Sequence, residues 1–270
     1  CYHGHSDGLL VKDGSGALTT SVPDSAGVPE DYTKNTLVAQ YNDRTSVEEL
    51  FAANPEQIAA VIVEPVAANM GVVPPKKGFL EFLRRITQEN DTLLLFDEVI
   101  TGFRLALGGA SAYTGVHADL YTFGKIVGGG MPLAAYGGSR DIMSCVAPLG
   151  NVYQAGTLSG NPAAVAAGIE TLKILMEDTG IYERIDRRAQ RLETAFRKEG
   201  LTVNRAGSLL SAFFMPDCEE QGGTVENYED ACRCDRKAFA DYFNSMLAKG
   251  IYVAPSQFEA LFVSDAHSDG

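Results

Sequence analysis

Hydrophobic residues first fall into a regular spacing at Val47. Before that, from Cys1 to about Asn42, Gly, Ser, Asp, Thr and Pro dominate and apolar positions keep no period. This predicts a long loop region with room for one short strand, and loops of that length are commonly functional or mobile. Residues 47–57 (VEELFAANPEQ) predict a short helix. The run 58–66 (IAAVIVEPV) predicts a buried strand ending near Glu64. After Pro74-Pro75, residues 78–90 place Phe79, Leu80, Leu83 and Ile86 on one helical face. Residues 92–99 (TLLLFDEV) predict a second buried strand ending at Asp97, and 119–125 and 133–139 two more short strands. Continuous apolar strands alternating with helices mark a parallel sheet covered by helices.

The pattern changes character further on. Asn161 suits a helix N-cap and Pro162 the first helical position, which predicts a helix through Met176. A second helix over 181–198 carries Ile185, Ala189, Leu192 and Phe196 on one face and Arg and Glu on the other. Residues 209–216 (LLSAFFMP) read as a strand, 239–250 as a helix stopped by Gly250, and 251–256 (IYVAPS) as another strand. The expected fold class is therefore α/β. A large domain over 1–177, with a mostly parallel sheet covered by helices, is followed by a smaller α+β domain over 178–270. No internal repeats or low-complexity tracts are present.

Composition narrows the function classes. Acidic residues outnumber basic ones 35 to 22, a net charge of −13 that repels phosphate backbones and argues against nucleic acid as a partner. The apolar runs are too short or too interrupted to span a bilayer, since even IAAVIVEPV carries Glu64. Five cysteines, at 1, 145, 218, 232 and 234, form no paired framework and point to a reducing cytoplasm. Cys232-x-Cys234 lacks a second ligand pair at metal-binding spacing, and the four histidines do not supply one. The opening CYHGHSDG, without an initiator Met, and the close at DAHSDG suggest an internal piece of a longer protein.

In parallel sheets the ligand crevice lies at the carboxyl ends of the strands, where Glu64, Asp97 and Lys125 are all predicted to fall. A carboxylate ending an apolar strand is costly unless something positive meets it. An amine and an acid on different strand ends suit pyridoxal phosphate. The lysine would form a Schiff base with its aldehyde, and the aspartate would keep its ring nitrogen protonated. A structural salt bridge across the sheet accounts for the same pair equally well. Residues 156–162 (GTLSGNP) place glycines and hydroxyls ahead of a helix start, which suits a phosphate. Residues 124–132 (GKIVGGGMP) match neither nucleotide-loop pattern. Tyr2, His3 and His5 could offer an aromatic face to a planar cofactor, or simply pack. No G-x-S-x-G elbow or zincin motif is present.

The strings CYHGHSDG, EPVAANMG, LLLFDEVITGFR, TFGKIVGGGMP, YQAGTLSGNP and APSQFEA, in this order, resemble the glutamate-1-semialdehyde 2,1-aminomutases. These form a branch of the fold-type I, class III aminotransferases. FDEVxTGFR and GKxxGGG are shared across class III; the others are narrower. The resemblance implies that Lys125 is the Schiff-base lysine and proton shuttle and that Asp97 pairs with the pyridine nitrogen. Val99 would pack on one ring face and Tyr2 on the other, with His3 beside it. Asn69 would contact the cofactor's phenolic oxygen or the substrate, and Glu259 would lie in the substrate pocket. Gly156 and Thr157 would bind the phosphate of the neighbouring subunit's cofactor, making a homodimer obligatory. Residues 6–29 would gate the site.

The implied reaction converts (S)-4-amino-5-oxopentanoate to 5-aminolevulinate for tetrapyrrole synthesis. The cofactor cycles between its pyridoxal and pyridoxamine phosphate forms, through a retained 4,5-diaminopentanoate. The implied location is the cytoplasm, or a plastid if a transit peptide precedes the chain. The alternative is a class III aminotransferase using a separate keto acid, which would share Lys125 and Asp97. A non-catalytic binding protein on the same fold would be expected to have lost one of them.

Overall fold

The computed structural model describes residues 1, 6–11, 24–216 and 224–268. The early region, expected to be a loop, contains a short 3-10 turn at Asp7–Leu9 and a single helical turn, α1 (Glu30–Thr33). Helix α2 (Arg44–Ala53) starts where the Asp43 carboxylate accepts the N–H groups of Thr45 and Ser46, three residues ahead of the apolar spacing that predicted it. Strand β1 (Ala60–Val63), helix α3 (Phe79–Glu89), strand β2 (Leu93–Glu98), helix α4 (Gly109–Thr114) and strand β3 (Leu120–Phe123) follow. Strand β4 (Ala135–Gly138) and the turn α5 (Arg140–Met143) come next.

These four strands form one sheet in the order β1-β2-β3-β4. β1, β2 and β3 are parallel, with Val63 opposite Phe96 and Asp97 opposite Thr122, while β4 returns antiparallel to β3. The α2 and α3 helices cover one face. Val47, Phe51, Phe79, Leu80, Phe82, Leu83 and Ile86 pack there on Val63, Leu94 and Phe96. Each such side chain stabilises the fold by about 1.5–3 kcal/mol on full burial. The expectation of a buried first strand needs correction. β1 is the sheet's edge here, with Ala60 and Ile62 exposed and Val63 alone fully buried.

Helix α6 (Pro162–Glu177) opens as its sequence predicts, with Pro162 in the first turn and the Asn161 side chain accepting from Ala163 and Ala164 N–H. Helix α7 (Ile181–Lys198) lies against a second, antiparallel sheet of β5 (Thr202–Ala206), β6 (Leu209–Phe213) and β7 (Leu261–Phe262). Between β6 and β7 run the short helix α8 (Tyr228–Cys232) and helix α9 (Arg236–Ala248), the latter capped by Asp235. That cap starts α9 three residues before the apolar pattern suggests.

The strand expected over 251–256 is absent. Ile251 and Tyr252 are exposed, Pro255 can donate no ladder bond, and the edge of β6 is taken by β7 instead. Conversely β5 escaped prediction, because its Asn204 and Arg205 interrupt the apolar pattern. Arg205 is held by Asp186 and by Glu193, the latter at 2.6 Å.

The two sheets meet across the loop that follows β1. Val66, Ala68 and Val72 share a buried cluster with Ile100 and Leu105 from one side and Ala206, Leu209 and Ala260 from the other. Ala67 and Val73 join Phe213 and Val225 in a second cluster. The Arg104 guanidinium adds a polar tie, donating to the Val263 carbonyl at 3.1 Å and lying over the Phe262 ring.

Gly71 is the tightest point of this seam. Its φ is +76°, and a Cβ there would stand 2.6 Å from the Phe213 ring. Gly71→Ala should therefore destabilise the fold by about 2–4 kcal/mol through the combined backbone and overpacking costs. Urea unfolding should show a lower midpoint at unchanged slope.

Candidate active site

Because β1, β2 and β3 run parallel, their carboxyl ends share one edge of the sheet. Glu64 follows β1, Asp97 is the penultimate residue of β2, and Lys125 follows β3 after Gly124. Neighbouring strands lie about 4.8 Å apart, so this topology gathers the three residues that the apolar runs placed at strand ends.

Asp97 is buried, and its Oδ1 accepts the Val99 N–H at 3.2 Å and the Thr122 hydroxyl at 3.4 Å. Thr122 sits directly opposite Asp97 in the β2–β3 register. It was not anticipated, although counting the parallel register would have found it. Lys125 begins a 3-10 turn (Lys125–Gly128), is solvent-exposed, and has φ +48°. A lysine in the left-handed region stores about 1–3 kcal/mol of strain, a feature that concentrates at functional sites. Val99 stands half-buried above Gly124, where a Cβ would lie 3.1 Å from Val99 Cγ1. Glycine at 124 thus lets the strand bearing Lys125 approach the residue expected to face a planar ring.

Asn69 is exposed at the same edge and donates to both oxygens of the buried Glu64 carboxylate at 3.2 Å. Below it, the Tyr41 hydroxyl donates to the Pro65 carbonyl at 3.2 Å. Burial and the Glu64 charge push that phenol well above its ordinary pKa, so Tyr41 stays neutral. Glu259 is exposed on a turn whose neighbour Phe258 accepts the Gly71 N–H at 2.7 Å. The structure thereby brings the Asn69 loop and the Glu259 turn together from opposite sheets.

Glu98 was also missed. Successive strand residues face opposite sides, so Glu98 points away from Asp97 into the protein. There it accepts the Ala110 N–H at 2.6 Å and the Thr101 hydroxyl at 3.1 Å. Burial raises its pKa above the ordinary glutamate value, and those hydrogen bonds oppose the rise. Gly156 and Thr157 lie on a solvent-exposed loop ahead of α6. Tyr2, His3 and His5 lie outside the described residues, as does half of the expected gating segment, residues 12–23. Cys1 brings its nitrogen to 3.4 Å from Glu64 Oε1. Among the described residues no cluster of His, Cys, Asp and Glu could hold a metal ion, and Cys234 is buried against Met215.

The sequence matches the aminotransferase class-III family over residues 1–269. The chain belongs to that family. Its mostly parallel first sheet and helical cover are the α/β architecture expected of a class-III aminotransferase. Among relatives, it is 58% identical over its whole length to glutamate-1-semialdehyde 2,1-aminomutase of Acetivibrio thermocellus. It is likewise 58% identical to the enzyme of that name from Alkaliphilus oremlandii.

The chain spans 62% of the length of each of these relatives. Among solved structures it resembles a glutamate-1-semialdehyde aminomutase from Pseudomonas aeruginosa in complex with PMP. That match has a TM-score of 0.81 at 28% identity and covers 99% of this chain and 60% of that one. An omega-transaminase from Sphaerobacter thermophilus gives the same TM-score and identity, covering 98% and 62%. Fold likeness therefore places the class-III chain among both kinds of enzyme without separating them.

Proposed function

We propose that this class-III chain is part of a pyridoxal phosphate-dependent aminomutase that converts glutamate-1-semialdehyde to 5-aminolevulinate. The observation that carries the reading is the 58% identity to named aminomutases along all 270 residues. A cofactor with an aldehyde and a ring nitrogen suits the donor set at the sheet edge. The exposed amine of Lys125 and the buried carboxylate of Asp97 stand on adjacent strand ends, and the carboxylate is already oriented by Val99 and Thr122.

When bound, pyridoxal phosphate supplies an aldehyde that takes up and returns amino groups and a ring that accepts electron density. Lys125 Nζ carries protons to and from the reacting carbons as the positioned base. Asp97 holds a proton on the ring nitrogen. Val99 supports one ring face; the family resemblance would give the other to Tyr2 and make His3 a further cofactor contact, both lying outside the described residues. Asn69 offers its amide to the phenolic oxygen or substrate, and Glu259 borders the substrate.

We further propose that the active form is a homodimer in which Gly156 and Thr157 bind the cofactor phosphate of the partner subunit. In support, Leu149 and Tyr153 are each 83% exposed and Leu158 65% on the segment that carries them, apolar area that a second copy would cover. The boundary between a large and a small domain is placed at 177/178, between α6 and α7. The five cysteines form no paired framework along the sequence, which favours a cytoplasmic setting. No helix among the described residues is long and apolar enough to cross a membrane.

The test uses the full-length protein with glutamate-1-semialdehyde and pyridoxamine phosphate, without any external amino donor or acceptor. Stoichiometric 5-aminolevulinate is expected. Absence of product, with amino transfer to an added keto acid intact, would assign the chain to the intermolecular aminotransferases instead.

A further inference from the structure

We propose that Glu64 is a positioning residue that fixes which way the Asn69 amide faces at the cofactor edge. The inference rests on the cofactor site proposed above and adds a residue that acts only through another. β1 ends at Val63 and the chain turns at once, so the Glu64 side chain falls inside the turn and is 8% exposed. Its Oε1 and Oε2 each lie 3.2 Å from Asn69 Nδ2, and Oε2 also accepts the Ala68 N–H at 3.1 Å. A carboxylate taken out of water requires donors, and here it draws them from the loop that carries Asn69.

An ionised carboxylate only accepts, whereas an asparagine amide has one donating and one accepting end. Against Glu64 the amide can therefore settle in one orientation, with Nδ2 turned inward. Its Oδ1 is left for the open edge of the sheet. A glutamine at 64 would present both an acceptor and a donor, and either orientation of Asn69 would then be satisfied.

The position of the loop does not depend on this contact. Gly71 N–H is held by the Phe258 carbonyl at 2.7 Å and Val72 N–H by Ser211 Oγ at 2.9 Å. Glu64 also holds the Ala68 N–H, a bond that the carbonyl of a glutamine at 64 can keep, so what its second oxygen adds is the direction of the amide.

The experiment uses the full-length protein loaded with pyridoxal phosphate, as wild type, Glu64→Gln, Asn69→Ala and the double variant. Three quantities are read: the cofactor's visible absorption maximum and its pH titration, borohydride fixation to Lys125, and kcat with KM. The expected result is that Glu64→Gln and Asn69→Ala move the absorption band in the same direction. Each should lower kcat about tenfold, the scale of one hydrogen bond to a charged group. The double variant should shift no further than Asn69→Ala, since the two residues act as one unit.

A Glu64→Gln band that stays in place while the Asn69→Ala band moves overturns the proposal, as do shifts that simply add. An unmoved Asn69→Ala band overturns it too, while continued fixation to Lys125 leaves the cofactor site standing. Failure of the wild type to fix cofactor at Lys125 sinks the site itself and the inference with it. Thermal midpoints of the isosteric Glu64→Gln variant, expected close to wild type, separate orientation from folding.

Discussion

Lys125→Ala is expected to leave a folded protein that no longer holds pyridoxal phosphate covalently and turns over about 10²–10⁴-fold more slowly, the range that a positioned acid–base group supplies. The structure explains why the fold should tolerate the change. Lys125 is exposed, and the turn it begins is set by Gly124 and the Lys125–Gly128 hydrogen bonds rather than by its side chain. Its φ of +48° is unfavourable for alanine as it is for lysine, so the substitution neither relieves nor adds backbone strain. Borohydride treatment followed by peptide mapping checks the result. Cofactor fixed to the protein in the variant at the wild-type level would remove Lys125 from its assigned role.

The second large effect is expected at Asp97. Asp97→Asn keeps the shape and the hydrogen bonds from Val99 and Thr122 but removes the charge that would hold a proton on the ring nitrogen. Loss of a charge-assisted bond at a buried site costs about 1.5–3 kcal/mol, so cofactor should dissociate roughly ten- to a hundredfold more readily. Turnover should fall further than retention, because the protonated ring is needed most as the reaction proceeds. Equilibrium dialysis of the cofactor, beside single-turnover rates on a saturated enzyme, separates the two losses. Normal single-turnover rates in the variant would show that the charge serves the fold rather than the chemistry.

Both residues were legible in the sequence because they punctuate apolar runs. A carboxylate at the end of TLLLFDEV and an amine after DLYTFG are costly in a parallel sheet unless the strand ends near them, and the structure ends β2 one residue after Asp97 and β3 two residues before Lys125. Other features lacked such a signal. Thr122 matters through the register between strands, and the pairing of Glu64 with Asn69 through a turn, neither of which a single strand's pattern encodes. Glu98 could have been found by alternation, since two consecutive carboxylates on a strand face different sides and each, when buried, needs its own partners. The apolar string IYVAPS misled because hydrophobicity was taken for pairing, while Thr202–Ala206 hid its pairing behind Asn204 and Arg205. The glycine- and hydroxyl-rich loop at 156–160 reads as a phosphate site, yet one copy of the chain leaves it exposed to solvent.

The seam between the sheets has a bearing on the order in which the chain assembles. Lys125 and Asp97 rest on strands that neighbour one another in sequence, so their edge can form as soon as the first half of the chain has left the ribosome. The Asn69 loop is different: Val72 waits for Ser211, which follows it by 139 residues. Contacts of such separation close late, after the entropy of a long loop has been overcome. A nascent chain therefore reaches a stage at which its lysine and aspartate are in place while the wall that carries Asn69 is still unfinished. Cofactor supplied during synthesis would meet a half-built pocket, and tight capture would coincide with the docking of the second sheet.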